Sequence, residues 1–165
     1  MRLSRLIATV GGIGLLRPAP GTWGSLAALP MAWVLHVIAG PWFLILAIIV
    51  TFFKGLWATS KVIRDTGEPD PSEIVIDEVV GQWIAFLPVS IGAAWAGAAL
   101  VALWPGWITA FAFFRLFDIW KPGPIGRVDR RKDALGVMLD DVISGVFAAF
   151  AVAILAALAH LGMRL

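Results

Sequence analysis

The sequence contains no cysteine and no tyrosine, and only two histidines, His36 and His160. Without cysteine there are no disulfides, no zinc–thiolate centres and no thiol nucleophiles. Two histidines do not make a histidine-rich metal site. Charge is scarce as well. Only 15% of the 165 residues are Asp, Glu, Lys or Arg, against about 25% in an ordinary soluble domain. Apolar residues make up 60%, and the mean hydropathy is +0.89. These values exclude a disordered chain and an ordinary soluble enzyme. The length suits one domain, residues 1–165. Nine Trp and ten Phe suit a chain that meets lipid. A net charge of +2 calls for no nucleic-acid partner.

Where charge is absent is more informative than how much there is. Residues 26–53 and 81–114 contain no Asp, Glu, Lys or Arg, and in 142–161 the titratable group is His160. One membrane span needs about 20 apolar residues, so each stretch supplies one or two. Gly40-Pro41 and Pro105-Gly106 punctuate the first two stretches as turns. The predicted helices are therefore 23–38, 42–63, 73–103 (bent near Pro88), 107–121 and 138–161. The fold class is all-α, a small integral membrane bundle of four to five helices, some short or interfacial. Leu6–Leu16 follows Arg2 and Arg5 like a signal peptide, but Arg17-Pro18 interrupts it and no small-x-small site follows. Retention of the segment is expected. Ala93-x3-Gly97 and Gly145-x3-Ala149 are small-residue pairs for close helix packing.

All eleven acidic residues fall in two windows, 65–78 and 118–141. Threading the helices with the N-terminus inside brings both windows to one membrane face. It also places Arg2, Arg5, Arg17, Lys54, Lys61, Arg64 and the basic 115–133 segment there, which is the positive-inside pattern. Trp42, Trp104 and Trp107 then form an outer aromatic belt, and Trp23 and Trp120 an inner one. Three apolar helix ends carry carboxylates: Asp77-Glu78, Asp118 and Asp140-Asp141. Helical spacing puts Glu73 with Asp77 on one face, and Arg115, Asp118 and Lys121 on one stripe. The helix dipole alone accounts for acids at the start of a helix, such as Asp140 and Asp141, but not for Asp118 near a helix end.

Carboxylates without His or Cys select hard divalent cations. With Arg115, Lys121, Arg127, Arg130 and Arg131 nearby, they fit metal-assisted phosphoryl chemistry on an anionic substrate. They fit the mouth of a cation-binding or conducting protein too, and a scaffold subunit is a third reading. Arg17 to Ser25 is a Pro/Gly loop before a helix. Thr22 or Ser25 can cap that helix, and Gly21 and Gly24 admit an anion to the backbone. The acids of 65–72 read as solvated turn residues, and 129–133 as a surface loop near anionic lipid. Neither histidine reads as catalytic.

Four blocks complete the pattern: Pro20-Gly21-Thr22-Trp23-Gly24-Ser25, Ile76-Asp77-Glu78-Val79-Val80-Gly81-Gln82, Phe114-Arg115-Leu116-Phe117-Asp118-Ile119-Trp120-Lys121-Pro122 and Gly136-Val137-Met138-Leu139-Asp140-Asp141. In this order they resemble the motif blocks of the phosphatidylglycerophosphatase A family. The resemblance implies a Mg²⁺-dependent phosphatase of the bacterial inner membrane, its site facing the cytoplasm. The implied reaction is hydrolysis of phosphatidylglycerophosphate to phosphatidylglycerol and phosphate; another lipid phosphate, such as phosphatidate, is the alternative substrate. By block it implies catalysis by Asp77, Glu78, Asp118, Asp141, Arg115 and Lys121. The implied metal ligands are Asp77, Glu78, Asp118, Asp140 and Asp141. The implied substrate contacts are Thr22, Gly24, Ser25, Arg115 and Lys121. A homo-oligomer is left open. Gly123 departs from the family, which often has an aromatic there. Asp-x-Asp-x-Thr, Cys-x5-Arg, the paired-His pattern of lipid phosphatases and Asp-Gly-x2-Ala-Arg are all missing.

Overall fold

A computed structural model of the chain describes residues 2–162. It is helical throughout, with no strand among the described residues. The helices are α1 (Leu3–Ala8), α2 (Pro20–Thr66), α3 (Ile76–Ala96), α4 (Trp104–Trp120), α5 (Pro124–Asp129) and α6 (Ala134–Gly162). Four of them are long and apolar enough to cross a membrane, counting α4 with the 3-10 turn Leu100–Leu103 before it.

The helix α2 is two arms joined at a break. Ala39 and Gly40 leave helical geometry, Gly40 at φ +70, and Pro41 restarts the helix. The expected turn at Gly40-Pro41 is therefore there. Gly67, at φ +75, ends the second arm with its N–H on the Ile63 carbonyl. The expected 73–103 helix is shorter at both ends. It starts at Ile76, so Ser72 and Glu73 lie outside it, and Glu73 does not share a face with Asp77. It stops at Gly97 (φ +59), whose N–H caps the last turn. Gly97 is thus a cap rather than half of a packing pair. The second expected turn also moves: Pro105-Gly106 lies in the first turn of α4, where proline's missing N–H costs nothing.

The long helix α6 starts four residues before the expected position. Asp133 precedes it, and its Oδ1 accepts the Gly136 N–H at 2.7 Å. Asp140 and Asp141 consequently sit in the second turn, beyond the reach of a simple dipole explanation. Likewise α2 starts at Pro20, so neither Thr22 nor Ser25 caps it.

Helix α3 forms the middle of the bundle and packs on α2, α4 and α6. Val79, Phe86, Phe114 and Ala148 are fully buried around it. Trp83 donates its indole N–H to the Ala28 carbonyl at 2.8 Å, and His36 Nδ1 pairs with Ser90 Oγ at 2.7 Å. Both bonds tie α2 to α3 and satisfy polar atoms among apolar neighbours. Where α3 crosses α6, the chains approach to backbone contact. A Cβ on Gly81 would strike Phe114 and the Asp141 carbonyl, and one on Gly145 would strike the Gly81 carbonyl. The outer surface is apolar, with Phe53, Ile108, Phe150 and Ile154 well exposed. Trp42, Trp95 and Trp104 project at the end away from the charges. Trp107 does not join this belt; it packs edge-on against Phe86 and bonds the Leu100 carbonyl.

The N-terminal segment belongs to the bundle. Ala8 and Thr9 are fully buried. The Ala8 carbonyl accepts the Val75 N–H at 2.9 Å. Arg5 pairs with Glu73 at 2.6 Å and Arg2 with Asp65 at 2.7 Å.

Candidate active site

Four helix ends meet at the charged end of the bundle, around a cavity of about 300 Å³. The first turn of α3 contributes Asp77 and Glu78, and the second turn of α6 contributes Asp140 and Asp141. The end of α4 contributes Arg115, Asp118 and the capping residue Lys121. Pro20, Gly21 and Thr22 close one side from the start of α2. Two windows of acid forty or more residues apart in sequence thus share one wall.

Ion pairing sorts the acids into two groups. Asp118 lies 2.7 Å from the Arg115 guanidinium, one helical step away. Asp140 lies 2.6 Å from the Lys121 ammonium. Asp77, Glu78 and Asp141 have no basic partner among the described residues. An oxygen from each of these three falls within 4.8 Å of the others. Asp77 and Asp141 are buried, and Glu78 Oε2 is buried with no hydrogen-bond partner. Asp77 accepts the N–H of the next residue at 3.0 Å, and Asp140 accepts the N–H of the next residue at 3.1 Å beside its bond to Lys121. Three unpaired carboxylates at low dielectric repel strongly. Across the whole cavity seven carboxylates face three bases. Such a wall rejects a phosphate unless cations neutralise it. Its all-oxygen donor set suits a hard divalent cation.

Lys121 is held in place from two sides. Its ammonium bonds Asp129 at 2.5 Å as well as Asp140. Partial burial disfavours the charge, but the two carboxylates outweigh it and hold Lys121 above the ordinary lysine range. Asp129 is affected in the opposite sense: burial works against its charge, and the bond to Lys121 prevails, keeping it below the ordinary carboxylate range. The sequence places Asp129 in a surface loop near lipid. The reason it lies in the cavity wall is α5, a short helix that folds the 124–129 segment back onto Lys121. Asp70, Ser72 and Lys132 also line the cavity, although the sequence places them in polar loops.

The start of α2 divides by role. Thr22 lines the cavity. Ser25 is buried behind it, donating to the Gly21 carbonyl at 2.8 Å and meeting Arg115 Nη1 at 3.4 Å. Gly21 gives room to the site, since a Cβ there would strike the Glu78 carboxylate. Gly24 gives room elsewhere: its Cβ would strike Val75, so it serves packing against the 73–75 segment and does not line the cavity.

The sequence profile of the phosphatidylglycerophosphatase A family matches residues 6–156. The chain belongs to this family. It is 36% identical to phosphatidylglycerophosphatase A of Haemophilus influenzae over 149 residues, covering 89% of this chain and 85% of that one. It is 34% identical to phosphatidylglycerophosphatase A of Escherichia coli over 147 residues, covering 87% and 78%. It is also 38% identical over 154 residues to a Bacteroides thetaiotaomicron protein provisionally named phosphatidylinositol-3-phosphatase, covering 90% and 91%. No solved structure matches the chain. Membership makes the chain an enzyme, a phosphatase. The four sequence blocks of phosphatidylglycerophosphatase A are the four walls of the cavity here. Asp129 lies between blocks, which is why block matching passes over it.

Proposed function

We propose that this enzyme removes the terminal phosphate of phosphatidylglycerophosphate, giving phosphatidylglycerol and inorganic phosphate, with Mg²⁺, at the cytoplasmic face of a bacterial inner membrane. The observation that carries the reading is the meeting of Asp77, Glu78 and Asp141, without basic partners, beside Arg115 in an open cavity. In the reaction water adds to phosphorus, the ester P–O bond breaks, and the headgroup alcohol leaves with a proton.

Asp77, Glu78 and Asp141 would hold the metal. Bound there, Mg²⁺ offsets charge on the phosphate oxygens. Arg115 lines the cavity and is held by Asp118 and Ser25 through Nη1, so its charge is preorganised for an anion there. Lys121 is fixed by Asp129 and Asp140 and keeps its proton through the neutral range. It is placed to stabilise charge rather than to exchange protons. Gly21 and Thr22 bound the space and exclude bulk water on that side.

The depth of the cavity suits a lipid. Gly55 of α2 touches Met138 and Ile76 beside the acids, and α2 continues eleven residues further, about 17 Å, to Thr66. The acids therefore lie below the end of α2, which supports a site at headgroup level. The name of the Bacteroides relative makes phosphatidylinositol 3-phosphate the rival headgroup. The test is phosphate release by purified protein in mixed micelles from phosphatidylglycerophosphate, phosphatidylinositol 3-phosphate and phosphatidate. Mg²⁺-dependent release, fastest from the first and abolished by EDTA, is expected. Asp141→Asn should lose at least a hundredfold in kcat, about 2.7 kcal/mol of barrier. Release that survives EDTA, or near-normal turnover by Asp141→Asn, removes the metal reading. Preference for another lipid reassigns the headgroup.

A further inference from the structure

Among the described residues, four of the five buried side-chain N and O atoms without a hydrogen bond belong to three residues. They are Glu78 Oε2, Gln82 Oε1 and Nε2, and Arg115 Nε. Gln82 stands out. It has no exposed surface, and both ends of its carboxamide are unpaired. Its neighbours on α3, Val79, Trp83 and Phe86, belong to the apolar core. A carboxamide buried among them is costly unless it is bonded. Methionine would fill the same space without that cost.

The packing places Gln82 directly behind the cavity wall. It follows Glu78 by four residues, so it stands one turn deeper on the same face of α3, its side chain leaning back toward Glu78. The residue before it, Gly81, packs against Phe114, the residue before Arg115. The residue after it, Trp83, bonds the Ala28 carbonyl. Ala28 lies less than one turn beyond Ser25, which itself meets Arg115 Nη1. Glu78 and Arg115 flank one spot at the cavity, where a Cβ on Gly21 would meet both Glu78 Oε1 and Arg115 Nη1. No ion pair joins those two among the described residues. The unpaired atoms are complementary. Glu78 Oε2 accepts, Arg115 Nε donates, and a carboxamide does both. A lysine at this position would only donate, and an ionised glutamate would only accept.

We propose that Gln82 is a positioning residue for the phosphatase site. With the site loaded, its Nε2 donates to Glu78 Oε2 and its Oε1 accepts from Arg115 Nε. The acid that holds the cation and the base that meets the phosphate are thereby set relative to each other. Rotation of the Glu78 and Arg115 side chains closes this bridge, since all three residues already stand on packed helices. Gln82 does not line the cavity, so it acts through these two partners. The role rests on the phosphatase reading above.

The experiment compares wild type with Gln82→Met, Gln82→Asn and Ser90→Ala in detergent. Methionine keeps the volume and removes both bonds, and asparagine leaves the amide one methylene short. Ser90→Ala is the control. It breaks the bond to His36, another buried polar contact of α3, deeper in the bundle and away from the acids. The readouts are Mn²⁺ binding without substrate, followed by electron paramagnetic resonance, then kcat for phosphatidylglycerophosphate with Mg²⁺, and melting temperature. Both Gln82 variants should lose roughly tenfold or more in Mn²⁺ affinity and in kcat, as expected when a bond to a metal-holding carboxylate is removed. Gln82→Met should melt no lower than wild type, because a buried amide is removed with its cost. Ser90→Ala should melt lower and keep its Mn²⁺ affinity. Mn²⁺ affinity and kcat within about twofold of wild type in Gln82→Met overturn the proposal. If that variant does not fold, the same result in Gln82→Asn overturns it. A loss of Mn²⁺ affinity in Ser90→Ala equal to that in the Gln82 variants overturns it too, since any buried polar contact of α3 would then act alike. In these cases a wild type that turns over leaves the phosphatase reading standing. Wild-type protein that releases no phosphate overturns both.

Discussion

At the scale of single residues, pairing decides role. The five carboxylates of the motif blocks look equivalent in sequence. In the structure Asp118 and Asp140 are each held by a base, whereas Asp77, Glu78 and Asp141 face one another. Asp129 is the addition that only contact reveals. Its bond to Lys121 gives a pH signature. A carboxyl held below its unfolded value near 3.9 contributes stability above that value and loses it as pH falls through the folded one. Lys121 contributes the opposite way, below its unfolded value near 10.4 and lost as pH rises through a higher folded one. With about a third of each side chain exposed, the pair is worth on the order of 1 kcal/mol after screening. Asp129→Asn should therefore lower the melting temperature by a few degrees at pH 7. The difference should narrow as pH falls below the ordinary carboxylate value near 3.9. A difference that stays constant down to acid unfolding refutes the electrostatic account.

At the scale of elements, the site depends on how closely α3 and α6 cross. Asp77 and Glu78 precede Gly81 on α3, and Asp140 and Asp141 precede Gly145 on α6. Each glycine takes the other helix's backbone where a Cβ would sit. Gly145→Ala should push the helices apart at a cost of about 1–3 kcal/mol, and separate Asp141 from Asp77. Melting temperature and phosphate release should fall together. Gly92→Ala, with open space around its Cβ, is the matched control and should lower neither, since alanine favours the helix there. Equal behaviour of the two variants would show that the crossing tolerates a methyl group and that the small-residue contact does not set the site.

At the scale of the whole molecule, charge is segregated along the bundle axis. The Gly40 break and the 97–104 connection carry no charged residue, while both ends of α1, the start of α2 and the 115–133 segment are basic. That asymmetry predicts that the cavity end faces the cytoplasm. The absence of cysteine makes the test direct. In intact cells a membrane-impermeant thiol reagent should label Trp42→Cys and spare Asp70→Cys, and permeabilisation should expose both. The reverse pattern would place the site on the outer face. The exposed apolar surface of α2, α4 and α6 is the lipid-facing girdle of such an orientation.

The sequence by itself determined the membrane class, the long apolar helices and the convergence of its two acidic windows, but not the short helices α1 and α5. Hydropathy over a span of residues and the positions of charge are sums along the chain, so they need no contact information. It also carried the family, through four ordered blocks. It misjudged helix ends wherever the stop was a local backbone event. Gly97 at φ +59 cut α3 short, Pro105 entered α4 instead of breaking it, and Asp133 started α6 early. Tertiary structure alone decided which acids are paired, that Asp129 and Lys132 reach the cavity, and that Gly24 packs while Gly21 makes room for the site. Those outcomes depend on distances between elements remote in sequence. A pattern along one chain reports which residues share a face, and only packing reports what that face meets.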